Sequence, residues 1–261
     1  MNAGSEVSNR AYEDELLAAI YDEDNPDGPD HDYFRELARD LSAACITDLG
    51  CGTGLLTVTM SGPGRTVIGI DPAAAMLERA AARSGGATVT WRLGTSELIE
   101  ADSSDLIVMS GNVAMHILGD AWPATLCDIR RGLREGGVLA FEARNPLAQA
   151  WQKWSTPAQT RDTAVGRLRE AVTTSAPDEL GIITMDSVNE FLDADEAINV
   201  SQRLQFRTFE TLREDLGAAG LAVRNVWRDW DRTPFTGSAD EPLMIVEAVS
   251  ADVALGARAE T

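Results

Sequence analysis

The segment ITDLGCGTGLLTV, residues 46–58, runs an apolar stretch straight into glycines at positions 50, 52 and 54. This pattern commits the chain to a sharp passage from strand to helix. Glycine accepts positive φ without a Cβ clash, and its bare backbone lets a ligand or a neighbouring element come close. The helix that follows would present unpaired N–H groups and a positive dipole end beside the strand's carboxyl end. In an open α/β sheet that is the crevice where ligands bind.

The rest of the chain supplies such a sheet. Residues 11–20 and 32–43 have helical spacing, separated by an acidic stretch, YDEDNPDGPDH, whose Pro, Gly and Asn/Asp residues read as turns. The glycine turn leads into a helix ending near Met60, and TVIGID is apolar enough for a strand buried on both faces. A helix over 73–83, strands ATVTWRL and SDLIVMS, a helix over 122–133, a turn at Glu135-Gly136-Gly137 and the strand VLAFEAR follow. Alternation of this kind predicts an α/β, doubly wound, mostly parallel sheet with right-handed crossovers. LGIITMDSVNEFL and AINVSQRLQFR then alternate apolar and polar residues, predicting an inserted antiparallel pair. A helix over 209–219 and the strands LAVRNVWRDW and EPLMIVEAV return to the core, and ADVALGARAET is expected to fray.

Charge narrows the ligand. With 22 Lys+Arg against 42 Asp+Glu the formal net charge is −20, and no basic patch interrupts it, so a nucleic-acid partner is not expected. No apolar run approaches the roughly 20 residues that span a bilayer, and MNAGSEVSNR lacks the apolar core of a signal peptide, so no membrane partner and a cytoplasmic location are expected. Cys45, Cys51 and Cys127 lack metal or redox spacing and are expected to be buried as small hydrophobes. Two distant histidines and no carboxylate cluster give no metal site.

The crevice itself suggests a nucleoside. Asp71 ends the second strand about 20 residues beyond the glycines, where a carboxylate can accept ribose hydroxyls. A dinucleotide fingerprint, G-x-G-x-x-G, would need its third glycine where Leu55 stands, which disfavours NAD and FAD. The run DLGCGTG, with GIDPAAAML, SDLIVMSGNVAMHIL and LREGGVLAFEARNP, resembles the motif block of the class I S-adenosylmethionine-dependent methyltransferases, a Rossmann-like family, over residues 12–146. The resemblance implies a seven-stranded sheet with an antiparallel last strand, a helical N-terminal cap over about 10–43, a core over about 44–146 and 208–250, and an inserted antiparallel β lid over about 147–207. All of this would make one domain.

It also implies roles. Asp48 would organise the glycine loop, with Gly50, Cys51, Gly52 and Gly54 passing under the cofactor. Asp71 would hold the ribose diol, with Pro72 and Met76 flanking the adenine. Where the family often places an acidic residue for the adenine amino group, this chain reads Gly94-Thr95-Ser96, so a hydroxyl would serve instead. Gly111, Asn112 and His116 would line the sulfur end and the acceptor's entrance.

Methyl transfer is an in-line displacement in which positioning supplies much of the acceleration. An amine acceptor must lose its proton and a hydroxyl or C–H acceptor needs a base, so His116 is the candidate base, with capping or packing as its alternative. Substrate candidates are Arg144, alternating with Glu142 on the fifth strand; Trp151 and Trp154, as an aromatic wall; Asp229, at the sixth strand's end; and Tyr21 and Tyr33 in the cap, which with His31 would cover the cofactor. The expected activity is methyl transfer from S-adenosylmethionine, leaving S-adenosylhomocysteine, to a small-molecule acceptor by a monomer or homodimer. A protein methyltransferase and a non-catalytic sensor or scaffold are the alternatives. Base-amino enzymes of the family carry an Asn/Asp-Pro-Pro-aromatic motif where this chain has Ser110-Gly111-Asn112-Val113.

Overall fold

The computed structural model describes residues 11–252. Two cap helices, α1 (Glu15–Asp24) and α2 (Pro29–Asp40), precede β1 (Cys45–Leu49). Then come α3 (Thr57–Met60), β2 (Thr66–Asp71), α4 (Ala74–Ala82), β3 (Thr90–Leu93), β4 (Ser104–Met109), α5 (Val113–His116), α6 (Ala121–Gly132) and β5 (Leu133–Arg144). The inserted strands are β6 (Thr156–Thr163), β7 (Gly166–Thr174), β8 (Ile182–Phe191) and β9 (Glu196–Gln205), and the core closes with α7 (Phe209–Ala218), β10 (Leu221–Trp227) and β11 (Leu243–Ser250).

Seven strands form one sheet in the order β3-β2-β1-β4-β5-β11-β10. Only β11 runs against the others, pairing antiparallel with both β5 and β10. Both faces are covered, and side-chain alternation divides them. In β4, Leu106 and Val108 join Tyr33, Phe34 and Leu37 of α2 and Leu56 and Met60 beside the glycine turn, while Ile107 and Met109 face Trp122, Leu126 and Ile129 of α6 and Leu212 and Leu216 of α7. Because β4 and its neighbours are buried on both faces, they read as continuous apolar runs. The ligand edge is therefore the row of carboxyl ends of β2, β1, β4 and β5.

The insertion is larger than the sequence pattern implied. It is a four-stranded antiparallel meander, β6-β7-β8-β9. β6 and β7, TPAQTRDT and GRLREAVTT, were hidden because their exposed polar residues mask the period of two; Leu168 alone in β7 is fully buried. The sheet's inner face packs Leu168, Phe191, Ile198 and Val200 against Ile20, Leu16 and Leu17 of α1. A second patch, Ile183, Leu204 and Phe206, packs against Met115 of α5 and Trp151. The lid thus holds both α1 and α5.

Two local expectations change. The acidic stretch is largely helical: Asp14 caps α1 by accepting from the N–H groups of Leu16 and Leu17, and Pro29 starts α2 at a position where its missing N–H is harmless. Cys127 is exposed and Cys45 half-buried, so only Cys51 is a buried thiol. Of the end expected to fray, Ala251 donates to Gly220 O and Asp252 accepts from Arg130, while residues 253–261 lie outside those described.

Candidate functional site

The glycine turn after β1 is held by the neighbouring strand. Ile70 O accepts from the N–H groups of Gly50 at 2.7 Å and Cys51 at 3.1 Å, and the Asp71 carboxylate accepts from Gly52 N at 2.8 Å. The other Asp71 oxygen accepts from Ala73 N at 2.9 Å. These amides are occupied, so they are not the free N–H cradle that a pyrophosphate would need, and α3, at four residues, is too short to offer a strong dipole. This departs from the expectation of an open helix N-terminus. It suits a ligand that carries no phosphate at this point.

The glycines divide the work. A Cβ on Gly50 would stand 2.5 Å from Val113 Cγ2, and one on Gly54 would stand 2.6 Å from the Trp91 ring, so both are bare to let protein pack. Only Gly52 faces outward: its Cβ position meets nothing nearer than the Tyr21 ring at 3.7 Å. Gly111 does the same after β4, with the Tyr21 hydroxyl 4.0 Å from its Cβ position. Tyr21 therefore bridges the crevice from β1 to β4. Cys51 turns its sulfur inward toward Gly69.

Asp48, at the end of β1, accepts from the Thr57 hydroxyl at 2.6 Å, and its Oδ1 is buried without a partner among the described residues. Burial pushes its carboxyl up to about 6. It braces α3 while Asp71 ties the loop, so the organising role expected of Asp48 is shared. Met76 is buried under the cap with Ala18, Tyr12 and Tyr21. Pro72 and Leu93 are exposed at the ends of β2 and β3.

Some expected contacts point elsewhere. The Ser96 hydroxyl donates to Asp128 of α6 at 2.8 Å, and Thr95 donates to Glu97, so neither hydroxyl is free; Gly94 N donates to Asp71 O at 3.0 Å. Tyr33 is buried against Phe34 and Trp230 and donates to Glu247 of β11 at 2.8 Å, inside the core. His31 pairs with Asp27 at 2.8 Å. Asp229 accepts from Thr233 N at 3.0 Å, the charged turn that such a run usually makes. Trp151 and Trp154 pack on Phe206 at 4.8 and 5.5 Å, behind Met115.

The β4–β5 side gathers the remaining chemistry. Asn112 takes positive φ (63°), and its N–H donates to Glu142 Oε1 at 2.5 Å. Arg144 Nε donates to Asn112 Oδ1 at 2.9 Å. Glu142 Oε2 is buried with no partner among the described residues, and burial drives its carboxyl up to about 7. Gln202 of the lid donates to the Tyr12 hydroxyl at 3.0 Å, and Tyr12 lies 3.3 Å from His116 Nε2. Tyr12 accepts from Gln202 and shares a hydrogen bond with Nε2, which leaves Nδ1 as the imidazole's other nitrogen. That atom is buried and unpartnered among the described residues. Burial lowers His116 to about 4, so it stays neutral at pH 7. Arg207 backs the same turn, donating to the carbonyls of Ala114 at 2.9 Å and Ile117 at 2.6 Å with its guanidinium 4.4 Å from the Trp122 ring. The sequence alone does not single out Tyr12 or Arg207 as parts of the site, and it offers Glu142 only beside the favoured Arg144. For Glu142 the one available signal is its alternation with Arg144 on β5.

The residues present fit a cationic ribosyl cofactor: a buried, unpartnered carboxylate oxygen on Asp48, a carboxylate on Asp71 with further lone pairs, and bare backbone at Gly52 and Gly111. Among the described residues no group of three or more His, Cys, Asp or Glu is set to hold a metal, and no helix is long and apolar enough to cross a membrane. Sheet order and crevice together are those of the class I, S-adenosylmethionine-dependent methyltransferase fold. Residues 46–137 match the family profile described as a methyltransferase domain. The chain is 33% identical over 116 residues to the ubiquinone biosynthesis O-methyltransferase of Rhizobium rhizogenes, an alignment covering 43% of this chain and 46% of that protein, so it spans about half the length of the curated relatives it matches. The CcbJ methyltransferase from Streptomyces caelestis shares the fold with a TM-score of 0.73 and 21% identity over 94% of this chain and 98% of that one. SAM-bound CalS10, an amino pentose methyltransferase from Micromonospora echinaspora, superposes with a TM-score of 0.62 and 19% identity over 89% and 96% of the two chains.

Proposed function

We propose that this chain transfers a methyl group from S-adenosylmethionine to a small-molecule acceptor at nitrogen, oxygen or carbon. The observation that carries the reading is the Asp71–Gly52 contact beneath Tyr21, which shapes a bare-backbone crevice bordered by carboxylates and roofed by an aromatic ring. In this reading Asp71 holds the ribose, Pro72 and Leu93 flank the adenine, and Gly52 and Gly111 lie under the methionyl chain. When bound there, the cofactor supplies a methyl carbon on a positively charged sulfur. The protein contributes alignment and exclusion of water.

The lid supports a small acceptor. Gln202 of β9 and Tyr12 meet over His116, and Arg161 of β6 bridges Glu23 and Asp24 of α1, so cap and lid close over the crevice as one roof. His116 serves as a neutral hydrogen-bonding group rather than as a proton store, because a base near 4 is poorly matched to neutral pH. The whole chain acts as one domain, as a monomer or homodimer, and its free cysteines suit a reducing cytoplasm.

Isothermal titration with S-adenosylmethionine, S-adenosylhomocysteine and NAD tests the reading. Micromolar binding of the first two with none of NAD is expected. Binding of NAD in their place would overturn it.

A further inference from the structure

The proposed methyl transfer leaves the acceptor atom open, and one buried group plays no part in it so far. Glu142 sits at the carboxyl end of β5 with 3% of its surface exposed. Its Oε1 is anchored by Asn112 N–H, and its Oε2 has no partner among the described residues. A buried, half-anchored carboxylate is costly to keep unless something completes it. The nearest cation does not complete it, because Arg144 directs its Nε to the Asn112 amide oxygen and acts on Glu142 only through space. Asn112 follows Gly111, whose Cβ position lies 4.0 Å from the Tyr21 hydroxyl, so Glu142 anchors the β4 edge of the crevice.

The surrounding groups set the charge that this half will accept. His116 is neutral, Tyr12 and Tyr21 stay protonated because burial raises both phenols, and Asp30 of α2 adds a further negative field at Glu142. A carboxylate or phosphate acceptor would enter against two negative neighbours with only Arg144 in its favour. An ammonium would be drawn in. We infer that the acceptor is a small-molecule amine, and that Glu142 Oε2 docks its ammonium group and takes one proton from it. The N–H bond breaks, its electron pair stays on nitrogen as the lone pair needed for attack, and the proton becomes the O–H of a neutral Glu142. Burial suits Glu142 to this, since its carboxyl is raised to about 7, near the working pH of a general base. This inference rests on the methyltransferase reading, and it adds a substrate class to it.

The test uses the intact chain saturated with S-adenosylhomocysteine, whose binding is measured separately by calorimetry so that failure of the cofactor reading shows up on its own. The Glu142 carboxyl is followed by carbon-13 NMR of glutamate-labelled protein, its resonance being the one lost in Glu142→Gln. Methylammonium, benzylammonium and glucosamine, added as chlorides up to their solubility limits, are expected to lower its apparent pKa measurably. Benzyl alcohol and glucose, which match in shape but lack the amine, should leave it unmoved. Glu142→Gln should keep its affinity for S-adenosylmethionine within about twofold, since the amide oxygen still accepts from Asn112. A carboxyl that titrates identically with and without every amine overturns the inference, as does one that responds equally to the alcohols. So does a tenfold or greater loss of S-adenosylmethionine affinity in Glu142→Gln, which would assign the carboxylate to the cofactor's own ammonium group.

Discussion

The two halves of the crevice are built on opposite principles. On the β2 side the polar groups are mostly satisfied, Asp48 Oδ1 excepted: Ile70 O takes two amides, and Asp71 takes one on each oxygen. On the β5 side Glu142 Oε2 and His116 Nδ1 are buried without partners among the described residues. A satisfied half is rigid before the ligand comes and loses little ordering entropy on binding. An unfinished half is strained until a ligand completes it, so it discriminates strongly by what that ligand can donate. In the proposed reading the first half takes a constant cofactor and the second a chosen acceptor.

The unfinished half must be held from behind, and Arg207 holds it. Its guanidinium satisfies the Ala114 and Ile117 carbonyls at the end of the turn that carries His116, and it lies over Trp122. Arg207→Met should therefore destabilise the protein by about 2–4 kcal/mol, since two buried carbonyls lose charged donors. Urea denaturation reads this directly. A loss under about 0.5 kcal/mol, the range of an ordinary surface substitution, would show that water replaces the guanidinium and that the turn needs no such support.

The glycines allow the two halves to be separated by one methyl group. Gly50→Ala drives a Cβ within 2.5 Å of Val113, at the head of the His116 turn, and should reduce stability by about 1–3 kcal/mol. Gly52→Ala meets nothing nearer than the Tyr21 ring at 3.7 Å, although its φ of 52° carries a strain of about 1 kcal/mol. Its main effect should be on cofactor affinity, where the new methyl occupies ligand space. Thermal unfolding and calorimetry on the pair should show opposite rankings, and identical rankings would erase the distinction between packing glycines and ligand-facing ones.

Asp71→Ala removes the loop anchor and, in the proposed reading, the ribose acceptor. S-adenosylhomocysteine affinity should fall by about 1.5–3 kcal/mol, roughly 10- to 150-fold. Asp71→Asn should recover part of it, because an amide oxygen can still accept from one of the two amides. Unchanged affinity in the alanine variant would remove Asp71 from the binding site altogether.

Much of the satisfied half was legible in the sequence, and little of the unfinished half was. Strand ends and glycines sit close together in the chain, so local spacing and the motif resemblance sufficed to put Asp48, Gly52 and Asp71 at one edge of the sheet. Tyr12, Gln202 and His116 are separated by up to 190 residues and meet only because the lid folds back over α1. No local pattern records such a meeting. Tyr33 and Asp229 show the converse: each has the residue type and approximate place of a site residue, and each is committed to the core or to a turn. Ser96 was misleading for a third reason, since a hydroxyl at the end of β3 can turn toward α6 as easily as toward the crevice.

The smallest expected effect bears directly on the contrast between the halves, because the unfinished half should leave a signature in stability against pH. Glu142 has its carboxyl raised from 4.5 to about 7 in the folded state. The folded protein thus holds a proton that the unfolded chain has lost, and stability declines as pH rises from about 4.5 through 7. His116 acts in the opposite sense: lowered from 6.5 to about 4, it makes the folded state the poorer proton binder, so its contribution rises with pH between about 4 and 6.5. The wild-type profile mixes these two with the raised carboxyl of Asp48, but the difference between wild type and Glu142→Gln cancels His116 and Asp48. Relative to wild type, the glutamine variant should gain on the order of 1 kcal/mol between pH 5 and pH 8, the full shift being reduced by relaxation around the charge. Urea midpoints at several pH values measure it. A flat difference would mean that Glu142 ionises in the folded chain as easily as in the unfolded one, and the carboxylate would then belong with the satisfied groups of the β2 side.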